Sequence, residues 1–136
     1  MSNADLALKL LHLNASAPFN RWAGFEIVSA EAGRVELRMS WKDDFAQYAG
    51  FLHAGLVGAL IDTACGFAAF TQAGPVLASH FSVNCLAPAV GVAFLCKGEV
   101  VRAGKRQIFA RAELNAEAQD GSRKLVATGE TILMPT

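Results

Sequence analysis

The sequence predicts an α+β domain in which an antiparallel sheet of about six strands wraps around one long central helix, with a short helix ahead of it. A run from residue 53 to about residue 72 is apolar, rich in alanine and glycine and free of proline, too long for a strand and suited to a helix buried on most sides. Six other segments are strand-like and bounded by turn signals. The clearest, residues 105–117, puts Ile108, Ala110, Ala112, Leu114 and Ala116 on one face and Arg111, Glu113, Asn115 and Glu117 on the other. A sheet with one apolar face and a helix apolar nearly all round bury each other.

The elements follow in order. Residues 5–14 carry Leu6, Leu8, Leu10, Leu11 and Leu13, a pattern compatible with a short amphipathic helix. Phe19 and Trp22 anchor the link that follows. Residues 25–30 and 34–41 read as strands, the second alternating Val35, Leu37, Met39 and Trp41 with Arg34, Glu36, Arg38 and Ser40, so Glu31-Ala32-Gly33 is a hairpin turn. Beyond the long helix come strands over 76–86, 92–102, 105–117 and 124–134, separated by turn signals at 88–91, Ala103-Gly104 and Asp120-Gly121. No internal repeat, low-complexity tract or linker interrupts them.

Length and composition exclude several classes of function. With 136 residues the chain fits one domain, long enough for a core without disulfides or metal. Twelve basic residues against twelve acidic ones leave no positive field for nucleic acid. Cys65, Cys85 and Cys96 lack the paired spacings of zinc or redox sites and read as reduced, buried side chains, and neither a metal-ligand cluster nor a glycine-rich phosphate loop is present. From Ala54 to Ser79 the one charged residue is Asp62, as in a membrane helix, but Gly74-Pro75 breaks the run and strand-like segments follow it. No basic n-region with a cleavage site opens the chain, so a cytoplasmic location is expected.

The chemistry concentrates on the long helix. Ala54, Gly58, Asp62 and Gly66 are four apart and form one ridge, so the carboxylate sits among residues with almost no side chain. Apolar surroundings penalise its charged form, which marks a functional candidate; the plain alternative is a core acid satisfied by a neighbouring strand. At the helix start, His53, Ala54 and Gly55 follow a loop containing Gln47, Tyr48 and Gly50. Free N–H groups there can polarise a carbonyl and stabilise an oxyanion. Asp62 lies eight residues beyond Ala54, about 12 Å along a helix, so one chain cannot bring both to one carbonyl. Two chains packed antiparallel about a twofold axis can, which predicts a dimer with shared sites.

The segment Gly50-Phe51-Leu52-His53-Ala54-Gly55 with Asp62 downstream resembles the His-Gly-Gly signature and acid of hotdog-fold thioesterases of the phenylacetate-degradation (PaaI) type. The likeness runs over roughly residues 20 to 134 and includes Asn84-Cys85-Leu86-Ala87-Pro88-Ala89 at a strand end, the hairpin around Ala103-Gly104 and the last strand, although only the helix motif is specific. The resemblance implies hydrolysis of an acyl-coenzyme A thioester without metal or cofactor. It makes Asp62 a nucleophile or a base for water, puts the Ala54 N–H on the thioester carbonyl, has Gln47 orient water or the carboxylate, and has His53 support the loop. Gly55, Gly58, Gly66, Ser79 and His80 become candidates for the acyl pocket, and Arg102, Lys105 and Arg106 for the phosphates of coenzyme A.

Two departures stand out. Ala54 replaces the first glycine of the signature, keeping the amide but adding a methyl group, and His80 stands where the family often carries an acid. An Asp62–His80 pair would suit a hydratase, and a drifted site would suit a non-catalytic acyl-coenzyme A binder. Phe67, Phe70 and Phe81 offer rings to an aromatic acyl group. The acyl group is not legible, nor is the choice between a dimer and a tetramer of two dimers.

Overall fold

Ser2 starts the first helix with a reciprocal cap: its hydroxyl accepts from the Asp5 N–H while the Asp5 carboxylate accepts from the Ser2 N–H at 3.1 Å. In the computed structural model, which describes residues 1–136, the chain runs α1 (Asn3–Ser16), α2 (Pro18–Ala23), β1 (Glu26–Glu31), β2 (Arg34–Ser40), a 3-10 turn (Asp43–Phe45), α3 (Ala54–Ala73), β3 (Val76–Cys85), β4 (Ala93–Ala103), β5 (Ile108–Glu117) and β6 (Arg123–Pro135). The six strands form one sheet in the order β1-β2-β4-β5-β6-β3, every neighbour antiparallel. It curls over α3, which contacts all six strands. This is the predicted architecture.

The alternation read in β5 is the one observed: Ile108, Ala110, Ala112, Leu114 and Ala116 are buried, and Phe109, Arg111 and Glu113 are exposed between them. The strand starts at Ile108 rather than Lys105 because the turn closes later, with Gly104 N–H donating to Gln107 O at 2.9 Å. On α3, Leu60 and Ile61 are fully buried, each stabilising the fold by about 2 kcal/mol. Composition alone would allow this helix to cross a membrane, and here it is the core helix of the sheet.

Gly98 lets the helix and sheet approach at backbone distance, and Gly129 makes room for a helix side chain. A methyl group on Gly98 of β4 would overlap the Ala64 carbonyl of α3, and one on Gly129 of β6 would stand 2.5 Å from Ile61 Cγ2 and 2.6 Å from Ser82 O. Neither glycine stood out in the sequence, because a close approach between distant segments leaves no local pattern.

Two expectations gain detail and one needs correction. The buried stripe of α1 is Leu6, Leu10 and Asn14, while Leu8, Leu11 and Leu13 are exposed. Asn14 is buried because its side chain donates to Phe25 O at 2.7 Å and accepts from Asn20 at 3.1 Å. The link carrying Phe19 and Trp22 is itself a short helix, α2, with Pro18 at its first turn, and Trp22 meets Phe45 edge-on at 5.2 Å. Cys65 and Cys96 are buried as expected, but Cys85 is exposed, since it ends the edge strand β3 beyond the helix's cover.

Gly98→Ala and Gly129→Ala are each expected to lower stability by roughly 1–3 kcal/mol through overpacking. The measurement is a lower urea midpoint with an unchanged slope; unchanged midpoints would show that the sheet stands farther from α3.

Candidate active site

The loop before α3 is folded on itself by backbone and side-chain bonds. Gln47 N–H donates to Phe51 O at 2.8 Å, Gly50 N–H to Gln47 O at 2.9 Å and His53 N–H to Phe45 O at 2.9 Å. The Gln47 side-chain oxygen accepts from the N–H groups of Ala49 and Phe51, which leaves its amide nitrogen without a protein partner at the cleft wall. Gly50, at φ 86°, makes the turn in the left-handed region that glycine enters without strain.

His53 caps the helix. Its Nδ1 accepts from Gly55 N–H at 2.8 Å, and its carbonyl accepts from Leu56 N–H at 2.9 Å and Val57 N–H at 3.2 Å. With Nδ1 as acceptor, the proton of the neutral ring sits on Nε2. Of the four N–H groups that open α3, only that of Ala54 lacks an acceptor, and Ala54 is exposed. An added Cβ at Gly55 would lie 2.9 Å from His53 Nδ1, so glycine leaves room for the capping imidazole. The helix start therefore presents one amide, with the positive end of the dipole behind it.

The free amide opens into a cleft of about 490 Å³ lined also by Gln47, Tyr48, Cys85 and Pro88. Asp62 lies in a different cleft, of about 380 Å³, with Thr63, Gly66, Phe67 and Phe70 of α3 beside it. The carboxylate is half-buried. Burial raises its pKa above the ordinary aspartate value, and no hydrogen bond or opposing charge offsets the effect. It is thus not a core acid satisfied by a neighbouring strand of its own chain. Gly58, between the two clefts on the same ridge, is covered by Phe81 and Val83 of β3.

The other candidates lie apart from both clefts. Phe81 and Val83 turn toward α3, so strand alternation puts His80 and Ser82 on the opposite face. Ser79 sits at a break in the β3–β6 register, its hydroxyl donating to Ile132 O at 3.2 Å. Within one chain, then, no Asp62–His80 pair forms of the kind a hydratase would use. Arg102, Lys105 and Arg106 are exposed at the β4–β5 turn, and Arg102 shares a shallow groove with Gln72 at the far end of α3. Sequence reasoning also missed residues that line the clefts. Alternation from Phe81 through Val83 carries Cys85 to the helix side, and the leucines of α1 outside its buried stripe signal a second surface to cover.

An antiparallel sheet curled over one long helix is the hotdog fold, and the family match and the similar structures that follow make the chain an acyl-thioester hydrolase of that fold. Residues 49–121, more than half of the chain, match the family model described as Thioesterase superfamily, and the chain belongs to that superfamily. A thioesterase family protein from Silicibacter pomeroyi is 38% identical, with a TM-score of 0.90 over 95% of this chain and 96% of that one. Two structures share the fold at lower identity. The Escherichia coli PaaI protein of the phenylacetic acid degradation operon is 20% identical, with a TM-score of 0.87 over 99% and 96% of the chains. A Streptococcus mutans protein solved with acetyl-CoA is 24% identical, with a TM-score of 0.72 over 82% and 88%.

The raised pKa of Asp62 has a consequence for stability. The folded carboxyl holds its proton more tightly than the unfolded one, so ionisation costs folding free energy at neutral pH, and the cost fades as pH falls through the folded value. Asp62→Asn is therefore expected to raise the urea midpoint at neutral pH, with the gain shrinking as pH drops to about 4. A variant less stable than the parent at neutral pH would reveal a stabilising partner for the carboxylate.

Proposed function

We propose that the protein hydrolyses an acyl-coenzyme A thioester at two equivalent sites of a homodimer, each using Asp62 of one chain and the Ala54 amide of the other. The observation that carries this reading is that the acid and the one free amide of α3 open into separate clefts of a single chain. Each chain holds two halves of a site, and a twofold axis joins unlike halves. Coenzyme A as the carrier is suggested by the Streptococcus mutans relative with acetyl-CoA.

The surface on which two chains would meet is β3. It is a ten-residue strand at the edge of the sheet, with no proline, lysine, arginine or acidic residue to block pairing, and it exposes Leu77 and Phe81. Such an edge is a template for another strand. Pairing β3 with β3 of a second copy about a twofold axis runs the two α3 helices antiparallel beneath a continuous sheet.

In the proposed reaction the thioester oxygen accepts the Ala54 N–H, and the dipole of α3 stabilises the oxyanion that forms. Asp62, whose desolvated carboxylate is a stronger base than usual, takes a proton from water as the oxygen attacks the carbonyl carbon. The C–S bond then breaks, and the thiolate of coenzyme A takes up the proton held by Asp62. As a nucleophile, Asp62 would instead form an anhydride that water opens, with the same products. His53 positions the amide through its cap, and the Gln47 amide nitrogen is a donor to water at the cleft wall. No step calls on a metal or an organic cofactor.

Two variants test this together. Asp62→Asn should lower kcat by several orders of magnitude. Ala54→Pro deletes the amide at the first helical position, where proline fits, and should lower kcat roughly 100- to 1,000-fold. Co-expressed, the two inactive chains should regain about a quarter of wild-type activity, since half of the dimers are mixed and each holds one intact site. No recovery in demonstrably mixed dimers would rule out a shared site; acyl-coenzyme A binding without thiol release by the parent would favour the non-catalytic binder.

A further inference from the structure

One wall of the Asp62 cleft comes from a part of the chain that the proposed chemistry does not use. Leu13 and Ala17, at the junction of α1 and α2, face Phe67 and Phe70 of α3 and Leu77 of β3 across it. Asp62 is the only ionisable group among the residues of its own chain that line the cleft, which include no lysine, arginine or histidine. Leu13 lies off the buried stripe of α1, and its 37% exposure leaves it open to this space.

The junction is held in place. Asn14, next to Leu13, donates to Phe25 O at 2.7 Å and accepts from Asn20 Nδ2 at 3.1 Å, and Arg21 donates to Ala15 O at 2.8 Å. The buried Asn14–Phe25 bond fixes the last turn of α1 against the residue that leads into β1, and the other two tie that turn to α2. A wall tied on both sides cannot retreat from a large ligand, so its side chains set a steric limit.

We propose that the α1–α2 junction is the acyl-selecting wall of the site, with Leu13 and Ala17 setting the size of an uncharged, apolar acyl group whose thioester carbon lies at Asp62. The inference rests on the thioesterase reading above. Its chemistry follows from the lining: apolar side chains receive methylene or ring carbons, and a second carboxylate on the acyl group would be buried beside Asp62 with no cation from this wall to pair with it.

The test is kcat/KM across straight-chain acyl-coenzyme A esters from acetyl to dodecanoyl, with succinyl-coenzyme A set against butanoyl-coenzyme A of the same chain length. Leu13→Ala removes wall and should raise the long-to-short ratio about tenfold, while Ala17→Leu adds wall and should lower it by a similar factor. Asp62→Asn serves as the blank. Should Leu13→Ala fail to fold, Ala17→Leu gives the same reading with no buried contact removed. Ratios unchanged in folded variants whose turnover still depends on Asp62 would overturn the wall and leave the thioesterase standing. Succinyl-coenzyme A turned over as well as butanoyl-coenzyme A would overturn the uncharged class, and no thiol release from any ester would overturn both readings.

Discussion

The approach of the α3 backbone to β4 at Gly98, with the Ile61 side chain of α3 seated on Gly129 of β6, decides where the rest of the molecule lies. With side chains absent at those two points, the helix sinks into the curve of the sheet and its apolar residues are used up in the core. What remains is the ridge of small residues, with Ala54 at the rim, Gly58 under β3 and Asp62 beside an opening. The carboxylate escapes full burial only because the helix is covered on the strand side and left partly open on the other. Depth and access are fixed by one packing distance.

At its start the helix shows a second kind of economy. A helix normally has several amides to satisfy, and here the imidazole and carbonyl of His53 take all but one. The result is a single directed donor rather than a diffuse positive patch, and its position depends on the capping histidine. Glycine at position 55 is required by that arrangement as much as by any ligand.

Much of the fold was legible because its signals are local. β5 alternates without exception over its buried positions, and α3 is too long and too apolar to be anything else. Asp62 was legible for the same reason, as the one charge in a long uncharged run. What was not legible depends on distant partners. Asn14 looks like a surface residue until Phe25 O and Asn20 are placed beside it, and α2 is too short to show a period. Cys85 looks apolar and buried until β3 proves to be an edge. His80 stands out by its place in the strand and the basic hairpin by its charge, and within one chain pleat direction and the far end of α3 take them away from the clefts.

The wall formed by Leu13 and Ala17 lies outside residues 49–121, the stretch that matches the superfamily, whereas Ala54 and Asp62 lie inside it. On the proposed reading, the chemistry and this one wall of the acyl cleft are written on separate stretches of chain. On that reading, drift in the first twenty residues of this chain would retune which acyl group enters while Ala54 and Asp62 stay where they are.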